Sequence, residues 1–275
     1  MPRPSESRGR KGIHGPKLTR FRDSHLASPA WGENTMKEDA VAYSAVVEDV
    51  LPAAPTLYLV ADTSRLNGWG GTAKRALDII LAGGAVLLLA PLLLLLSFLV
   101  KRSSPGPVFF VQERIGKNSQ PFPFYKFRTM VHKSDDAIHR QFAAMFINGG
   151  SQHSSTDKVY KLTEDPRVTG IGRWLRKTSL DELPQLFNIL RGEMSLVGPR
   201  PPIAYELDLY QPWHHERLRI TPGLTGLWQV SGRSNVPFEE MVRLDIHYIN
   251  SWSLGQDLRI MFKTVPVVLR GTGGY

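Results

Sequence analysis

One uncharged segment constrains this chain more than any other feature. Ile79 to Val100 comprises 22 residues without a charge and is dominated by leucine and alanine. As a helix it would be about 33 Å long, which matches the hydrocarbon core of a bilayer. The segment therefore predicts a membrane-inserted helix, and a buried helix of a soluble protein is the less favoured alternative.

The topology of this helix is a separate question. Pro91 lies near its middle, where it removes one backbone hydrogen bond and favours a kink. Basic residues flank both ends, and such residues tend to stay on the cytoplasmic side. The flanking residues are Lys74, Arg75, Lys101 and Arg102. This pattern suggests a re-entrant hairpin, but on the residues alone re-entrant and spanning topologies stay equally open.

Charge and composition limit the chemistry of the rest of the chain. The 34 Lys and Arg against 25 Asp and Glu leave a net charge of +9, which predicts an anionic partner: phosphate, nucleic acid or acidic lipid. The absence of cysteine excludes disulfides, zinc–thiolate sites and thiol nucleophiles. We predict a basic, largely disordered tail over residues 1–70, a membrane-inserted segment over 71–102 and one further domain over 103–275.

A second informative segment combines two cations with two adjacent carboxylates. Arg176 and Lys177 come shortly before Asp181 and Glu182, at the predicted start of a helix. A helix N-terminus favours an anion, so Asp181 is expected to be ionised at neutral pH. The same geometry can hold phosphate oxygens, and Arg176 can bind one in a bidentate manner. The segment is therefore a candidate site.

These residues also allow a purely structural interpretation. Ser179 to Glu182 fits the capping-box pattern, in which Ser and Glu satisfy each other's backbone donors. With Ser179 as the N-cap, however, Pro184 would lie where its missing N–H is needed. A helix that begins near Asp181 would instead place Pro184 in its first turn, where the loss costs little. Cap and site both stay open at this point.

Two further segments carry cations suited to phosphate. Lys126 and Arg128 flank Phe127 in a segment of alternating aromatic and basic residues. Such a segment could stack nucleic-acid bases, although beside a membrane helix an interfacial surface or a phosphate pocket fits better. Arg200 follows Pro199 and precedes two more prolines, which would hold its guanidinium in place for a phosphate. An ordinary proline-rich turn is the alternative.

The remaining patterns predict a mostly helical domain. A short strand is expected over Val108–Val111, and helices over Ile138–Ile147, Ile203–Leu218 and Phe238–Trp252. Leu258–Leu269 mixes apolar and basic residues, which suits either the membrane interface or packing on the core. We therefore predict an α/β, mostly helical, membrane-associated single domain with a Pro-kinked re-entrant hydrophobic helix and interfacial amphipathic helices.

Taken together and in order, these motifs resemble the bacterial sugar transferases, the monotopic polyprenyl-phosphate phosphoglycosyl transferases. The resemblance covers Thr72 to Tyr275. Its segments are the Pro-broken hydrophobic hairpin, Gln112–Gly116, Lys126–Met130, Asp165–Arg167, Leu175–Leu186 and Met194–Pro201. The segment Pro222–Arg233 is similar to the subgroup that transfers hexose 1-phosphate to start exopolysaccharide or O-antigen chains.

The resemblance implies an enzyme that transfers hexose 1-phosphate from a UDP-sugar to polyprenyl phosphate, on the cytoplasmic face of the bacterial inner membrane. Asp181 would attack the phosphorus bonded to the sugar, release UMP and form a sugar-phosphoryl-aspartate, which polyprenyl phosphate then attacks. Mg²⁺, held by Asp181 and Glu182, would neutralise the diphosphate. Glu182 would act through the metal or as a proton acceptor, and both roles stay open. The implied phosphate- or nucleotide-binding residues are Arg176, Pro199, Arg200, Lys126 and Arg128.

The sequence departs from the family pattern in two ways. Ala90 precedes Pro91 where family hairpins commonly carry serine, so the re-entrant prediction rests on Pro91 and the flanking charges. Larger members have several spanning helices and a further N-terminal domain, and neither is expected here because about 70 residues precede the hairpin.

Two competing functions and several partners complete the predictions. One alternative is a non-catalytic membrane-anchored scaffold or regulator of polysaccharide assembly. The other is a nucleic-acid-binding module, which the hydrophobic segment argues against, so no nucleic acid is expected as a partner. A homodimer is compatible with the sequence. Glucose and galactose are favoured as the sugar only through the C-terminal third.

Overall fold

A computed structural model describes residues 60–131, 137–148, 165, 167–231 and 236–269. The predicted tail before residue 60 lies outside the described residues. The helices are α1 Trp69–Ser103, α2 Ala137–Ile147, α3 Gly170–Lys177, α4 Gln185–Arg191, α5 Ala204–Leu207, α6 Leu227–Ser231, α7 Phe238–Asn250 and α8 Leu254–Leu269. The strands are β1 Phe109–Ile115, β2 Pro121–Phe127, β3 Ser195–Val197 and β4 Gly223–Thr225. Short 3₁₀ helices cover Ser64–Leu66, Lys117–Ser119, Leu180–Glu182 and Pro212–Arg219. The described chain is mostly helical, as predicted.

Helix α1 contains the whole apolar segment and runs through Pro91 as one helix of 35 residues. Its buried residues are spaced by about whole turns and so form one stripe along the helix. They are Lys74, Asp78, Ala82, Leu96 and Val100. Elsewhere the surface is apolar and open, with Leu87 and Leu88 each 80% exposed. Within the described ranges α1 alone is long and apolar enough to cross a membrane. An exposed apolar surface of this extent is typical of a membrane-associated domain.

Polar side chains in the first half of α1 bind it to the rest of the domain. Lys74 forms a buried ion pair with Asp257 of α8, at 2.7 Å. Arg75 donates to the carbonyls of Ile189 (2.5 Å) and Leu190 (2.8 Å), at the end of α4. Two of the predicted flanking cations therefore have specific protein partners, which the sequence pattern did not indicate.

The two ends of α1 are both held by the domain. Near its N-terminal end, Asp78 accepts from the Ser195 hydroxyl (3.0 Å) and the Leu196 amide (2.9 Å) of β3. At its C-terminal end, Arg128 donates to the carbonyls of Val100 (3.3 Å) and Ser104 (2.8 Å), and to that of Pro105. A cation at these carbonyls satisfies groups that a helix C-terminus leaves unpaired. Lys101 and Arg102 are exposed.

Strands β1 and β2 form an antiparallel hairpin in which Phe109 pairs with Phe127 and Phe110 with Lys126. The strand predicted over Val108–Val111 therefore exists but extends to Ile115. Aromatic side chains of β2 alternate into the core, because successive strand residues point to opposite faces. Phe122 and Phe124 pack with Ala82 of α1 and with α4. The hairpin thereby packs against both α1 and α4.

Strands β3 and β4 form a second, parallel pair, with Ser195 opposite Gly223 and Val197 opposite Thr225. Helix α7 packs close to it: the Tyr248 hydroxyl lies 3.2 Å from the Val197 carbonyl oxygen, and Tyr248 and Ile249 share a buried cluster with Val197. The predicted helix over Phe238–Trp252 is confirmed, although it ends at Asn250.

Helix α8 combines both interpretations of its sequence. Asp257 and Ile260 are buried against the core, whereas Leu258, Phe262 and Val265 are 43%, 75% and 55% exposed. One side therefore packs on the domain and another presents an apolar stripe at helical spacing, as an interfacial helix would.

The remaining helix predictions have mixed outcomes. The helix over Ile138–Ile147 is confirmed by α2. The long helix predicted over Ile203–Leu218 is wrong: α5 ends at Leu207, and a 3₁₀ helix begins at Pro212. Proline has no backbone N–H and clashes with a preceding helical turn, so a continuous helix cannot pass this position at low cost.

Candidate active site

The acidic pair lies in a sharp turn between α3 and α4. Ser179 adopts the left-handed region with φ of 56°, and a 3₁₀ turn over Leu180–Glu182 follows. The Ser179 side chain makes no capping bond, so the capping-box interpretation is wrong. The helix start predicted near Asp181 is also wrong, since α4 begins at Gln185, directly after Pro184. Both carboxylates therefore lie in the turn before α4 and do not form a helix cap.

Glu182 is held by two cations from different parts of the chain. Its Oε1 accepts from Lys126 Nζ of β2 at 2.8 Å and from Arg200 Nη2 at 3.0 Å. Burial opposes ionisation of Glu182, but Lys126 and Arg200 outweigh it and hold the pKa of this carboxyl well below its usual range. Glu182 is therefore a fixed anion that positions two cations.

Asp181 is the less restrained carboxylate. It is 7% exposed, and Lys126 Nζ lies 4.0 Å from its Oδ2. Burial raises the pKa of Asp181, Lys126 counteracts this, and the neighbouring Glu182 adds to the increase. A desolvated carboxylate with its oxygens weakly engaged is more nucleophilic than a fully hydrogen-bonded one. Asp181 thus has the properties of a nucleophile.

Arg176 supplies a further cation from α3. Its Nε donates to Thr129 Oγ1 at 2.9 Å. Burial lowers the pKa of Arg176, and Asp181 has the largest influence in the opposite direction. The close approach of α3 to Thr129 depends on Gly172, where a Cβ would lie 2.0 Å from the Thr129 carbonyl oxygen. The structure therefore brings Arg176 to the side of the acidic pair.

The proline-rich loop after β3 delivers Arg200. The amide of Gly198 donates to Thr225 (2.9 Å), and the Pro199 carbonyl accepts from Gly223 (2.8 Å). Pro199 is buried and so serves to anchor the loop. Arg217 Nη2 donates to the Arg200 carbonyl at 3.2 Å and forms a buried ion pair of 2.6 Å with Asp245 of α7.

The structure gathers four of the predicted site residues and places one elsewhere. Asp181, Glu182, Lys126 and Arg200 meet through ion pairs, and Arg176 is close enough to act electrostatically on Asp181. Arg128 is 4% exposed and serves the C-terminal end of α1, away from the acidic pair. Strand alternation alone would put Lys126 and Arg128, two residues apart, on the same face. They separate because β2 ends at Phe127, so Arg128 lies outside the strand and turns to the end of α1.

Arg114 of β1 is a neighbour of this site that received no role from the sequence. It lies 5.1 Å from the centre of the Phe124 ring, and Lys126 Nζ lies 5.5 Å from the same ring. Arg114 belongs to Gln112–Gly116, one of the segments that carry the family resemblance, and that was the only indication in the sequence that it lies near the site.

The carboxylates present fit a hard divalent cation only with help from a substrate. Among the described residues no group of three or more His, Cys, Asp or Glu side chains could hold a metal ion. Mg²⁺ is commonly bound through one or two carboxylates together with substrate phosphates. Asp181 and Glu182 provide that minimal donor set, and the weak engagement of Asp181 leaves oxygen lone pairs free. The donor set therefore fits Mg²⁺ in the presence of a diphosphate.

Comparison with known proteins gives a consistent result. The family model of the bacterial sugar transferases matches residues 69–271. The exopolysaccharide production protein ExoY of Rhizobium meliloti is 47% identical over 223 residues, which cover 81% of this chain and 97% of that protein.

Two further relatives have names that state an activity. The undecaprenyl-phosphate galactose phosphotransferase of Salmonella typhimurium is 44% identical over 74% of this chain, and the alignment covers 41% of that protein. The UDP-glucose:undecaprenyl-phosphate glucose-1-phosphate transferase of Caulobacter vibrioides is 41% identical over 74% of this chain and 72% of that protein.

Proposed function

Because this chain belongs to the bacterial sugar transferase family, we propose that it transfers a hexose 1-phosphate from a UDP-sugar to undecaprenyl phosphate. The observation that carries the proposal is the buried Asp181 next to Glu182, with Lys126, Arg176 and Arg200 around them. The names of the two phosphotransferase relatives support the donor and the acceptor.

The first step is attack by a carboxylate oxygen of Asp181 on the phosphorus bonded to the sugar. An oxygen–phosphorus bond forms, the bond from that phosphorus to the bridging oxygen breaks, and the bridging oxygen leaves with UMP. In the second step a phosphate oxygen of the lipid attacks the same phosphorus. The bond to Asp181 breaks, the carboxylate is regenerated, and undecaprenyl diphosphate hexose is the product. Covalent catalysis of this kind replaces one difficult displacement by two easier ones.

The cations stabilise the negative charge of both displacements. Lys126 and Arg200 are already positioned by Glu182, so little reorganisation is needed when charge develops on the phosphate oxygens. Arg176 adds a guanidinium that matches phosphate geometry. The lowered pKa of Glu182 makes it a weak proton acceptor, which favours a positioning role over the general-base role. Mg²⁺ bound near Asp181 and Glu182 would neutralise the donor diphosphate.

The membrane helix places this chemistry beside its lipid substrate. Both ends of α1 are bound to one domain, through Asp78 near the start and Arg128 near the end. A helix held in this way supports a re-entrant arrangement with a bend near Pro91, in which the exposed leucines enter one leaflet. Basic residues at both ends favour the cytoplasmic face of the inner membrane. The ExoY relative supports a role in starting exopolysaccharide chains.

The decisive experiment measures UMP release from UDP-glucose and UDP-galactose with the purified, detergent-solubilised protein, Mg²⁺ and undecaprenyl phosphate. The wild type is expected to release UMP, and Asp181→Asn to release none. With UDP-sugar labelled in the hexose and no acceptor, the label should become attached to the wild type but not to Asp181→Asn. Turnover by Asp181→Asn at the wild-type rate would refute the proposal. If the wild type binds membranes but turns over no UDP-sugar, the scaffold alternative is favoured.

A further inference from the structure

We propose that Arg114 is an additional phosphate-binding residue of this site, which rests on the proposed function and extends it to strand β1. Arg114 lies on the same face of the hairpin as Lys126, since both approach the Phe124 ring, at 5.1 Å and 5.5 Å. The hairpin therefore contributes two cations to the site rather than one.

The hydrogen bonds of Arg114 use only neutral acceptors. Its Nε donates to Gln112 Oε1 at 3.1 Å, and its Nη1 donates to the Pro201 carbonyl at 3.0 Å. Within the described residues no carboxylate lies within ion-pair distance of its guanidinium, and Nη2 has no hydrogen-bond acceptor there. The bond to Pro201 ties Arg114 to the residue that follows Arg200, so the two guanidinium groups belong to one structural unit.

The electrostatics of Arg114 are unfavourable without an added anion. Burial lowers the pKa of Arg114 to about 10, and Arg200 contributes in the same direction. Glu206, Tyr205 and Glu182 counteract this, but they do not outweigh burial and Arg200. Arg114 is half-buried, and a partly desolvated cation without an ion-pair partner is less stable than a paired one. A phosphate bound at this site would pair with the Arg114 guanidinium and remove this destabilisation.

The charge balance of the site points the same way. Four cations face three carboxylates, and Glu182 is already shared by Lys126 and Arg200. Arg114, Lys126, Arg176 and Arg200 against Asp181, Glu182 and Glu206 leave a net charge of about +1, which a phosphate would balance. Two substrates carry such a group: the UDP-sugar and the lipid phosphate. Nη2 of Arg114 and the adjacent Arg200 offer the planar donors that phosphate oxygens accept.

Binding measurements on the full chain in detergent test this inference. Isothermal titration with UDP and with a short-chain polyprenyl phosphate is compared among wild type, Arg114→Gln and Arg173→Gln. Arg173 is an exposed arginine of α3, so its variant matches the change in net charge. Loss of one charged hydrogen-bond donor to a phosphate should weaken binding about tenfold. We expect that loss in Arg114→Gln, and affinities within about twofold of wild type in Arg173→Gln.

Each outcome has a distinct meaning. A loss for UDP alone assigns Arg114 to the donor, and a loss for the lipid phosphate alone assigns it to the acceptor. Unchanged affinity for both ligands in Arg114→Gln would overturn the inference. If that variant fails to fold, Arg114→Lys keeps the charge but loses the planar fork, and it should still bind the affected ligand less tightly than wild type. These are equilibrium measurements, so failure of the proposed reaction, seen as no UMP release by wild type, is separate from their result.

Discussion

Lys126 donates to Glu182 across 2.8 Å while its ammonium stays 4.0 Å from Asp181. Lys126 thus forms a direct ion pair with Glu182 and acts on Asp181 only through its charge. The hydrogen-bonded Glu182 is kept ionised and immobile, whereas Asp181 keeps its oxygens available. This unequal sharing of one cation separates the roles of two adjacent acidic residues.

The pH dependence of the reaction should respond to Lys126. Asp181 must be ionised to attack phosphorus, and its raised pKa places the acidic limb of the activity profile above that of an ordinary aspartate. Lys126 lowers this pKa, so Lys126→Met should shift the acidic limb to higher pH. The profile of UMP release against pH measures the shift. Lys126→Arg keeps the charge and should retain a nearly wild-type limb, and coincident profiles for Lys126→Met and wild type would contradict the argument.

Glu182 should contribute stability that depends on pH. Since its folded pKa is lowered, the contribution is fully present above the unfolded pKa and is lost as pH falls through the folded one. Glu182→Gln should therefore unfold at a lower temperature than wild type at neutral pH, and the difference should narrow in acid. Thermal unfolding at a series of pH values tests this. Glu239→Gln, at an exposed glutamate of α7, serves as the control and should track the wild type.

Two glycines of α3 provide a matched test of the close approach to Thr129. A Cβ on Gly172 would lie 2.0 Å from the Thr129 carbonyl oxygen, whereas a Cβ on Gly170 would meet nothing within 4 Å. Gly172→Ala should displace α3, move Arg176 from Thr129 and reduce UMP release more than tenfold. Gly170→Ala should retain activity and stability, because alanine suits a helix better than glycine. Equal rates of UMP release by the two variants would contradict the role assigned to the close approach at Gly172.

The buried ion pair of α1 should be important for stability. Lys74 pairs with Asp257 at 2.7 Å, and Asp257 also accepts from Tyr248 (2.7 Å) and Trp252 (3.2 Å). Lys74→Met would leave a buried carboxylate without its cation, at a cost of about 3–5 kcal/mol. Chemical or thermal unfolding in detergent measures the loss. Lys101→Met, which removes an exposed lysine from the same helix, should cost less than about 1 kcal/mol.

Much of the site could be anticipated because its residues lie in compact local motifs. Asp181 and Glu182 are adjacent in the chain, and Arg200 stands among prolines that restrict its loop. Local motifs could not predict how the turn is made. The helices on either side of the left-handed Ser179 are held by residues distant in the chain, α3 through Gly172 against Thr129 and α4 through Asn188 on β2. Local propensity does not encode such contacts.

The long-range partners of the cations could not be predicted from the sequence for the same reason. Nothing in the sequence around Arg128 indicates that its guanidinium donates to the carbonyls at the end of α1. Nor does the sequence indicate that Lys74 pairs with Asp257, 183 positions later. Arg114 had no special spacing, and only the hairpin register brings it to the ring that Lys126 also approaches.

The sequence by itself determined the apolar helix, the mostly helical domain, the acidic pair and the family, because each depends on composition or on residues close together in the chain. Only the tertiary structure decided which cations serve Asp181 and Glu182 and which ones hold α1 in place. Residues such as Lys126, Arg128 and Arg200 have the same charge, and their roles differ through the point at which β2 ends, loop anchoring and burial. Those are properties of packed elements distant in sequence, and they appear only when the chain is folded.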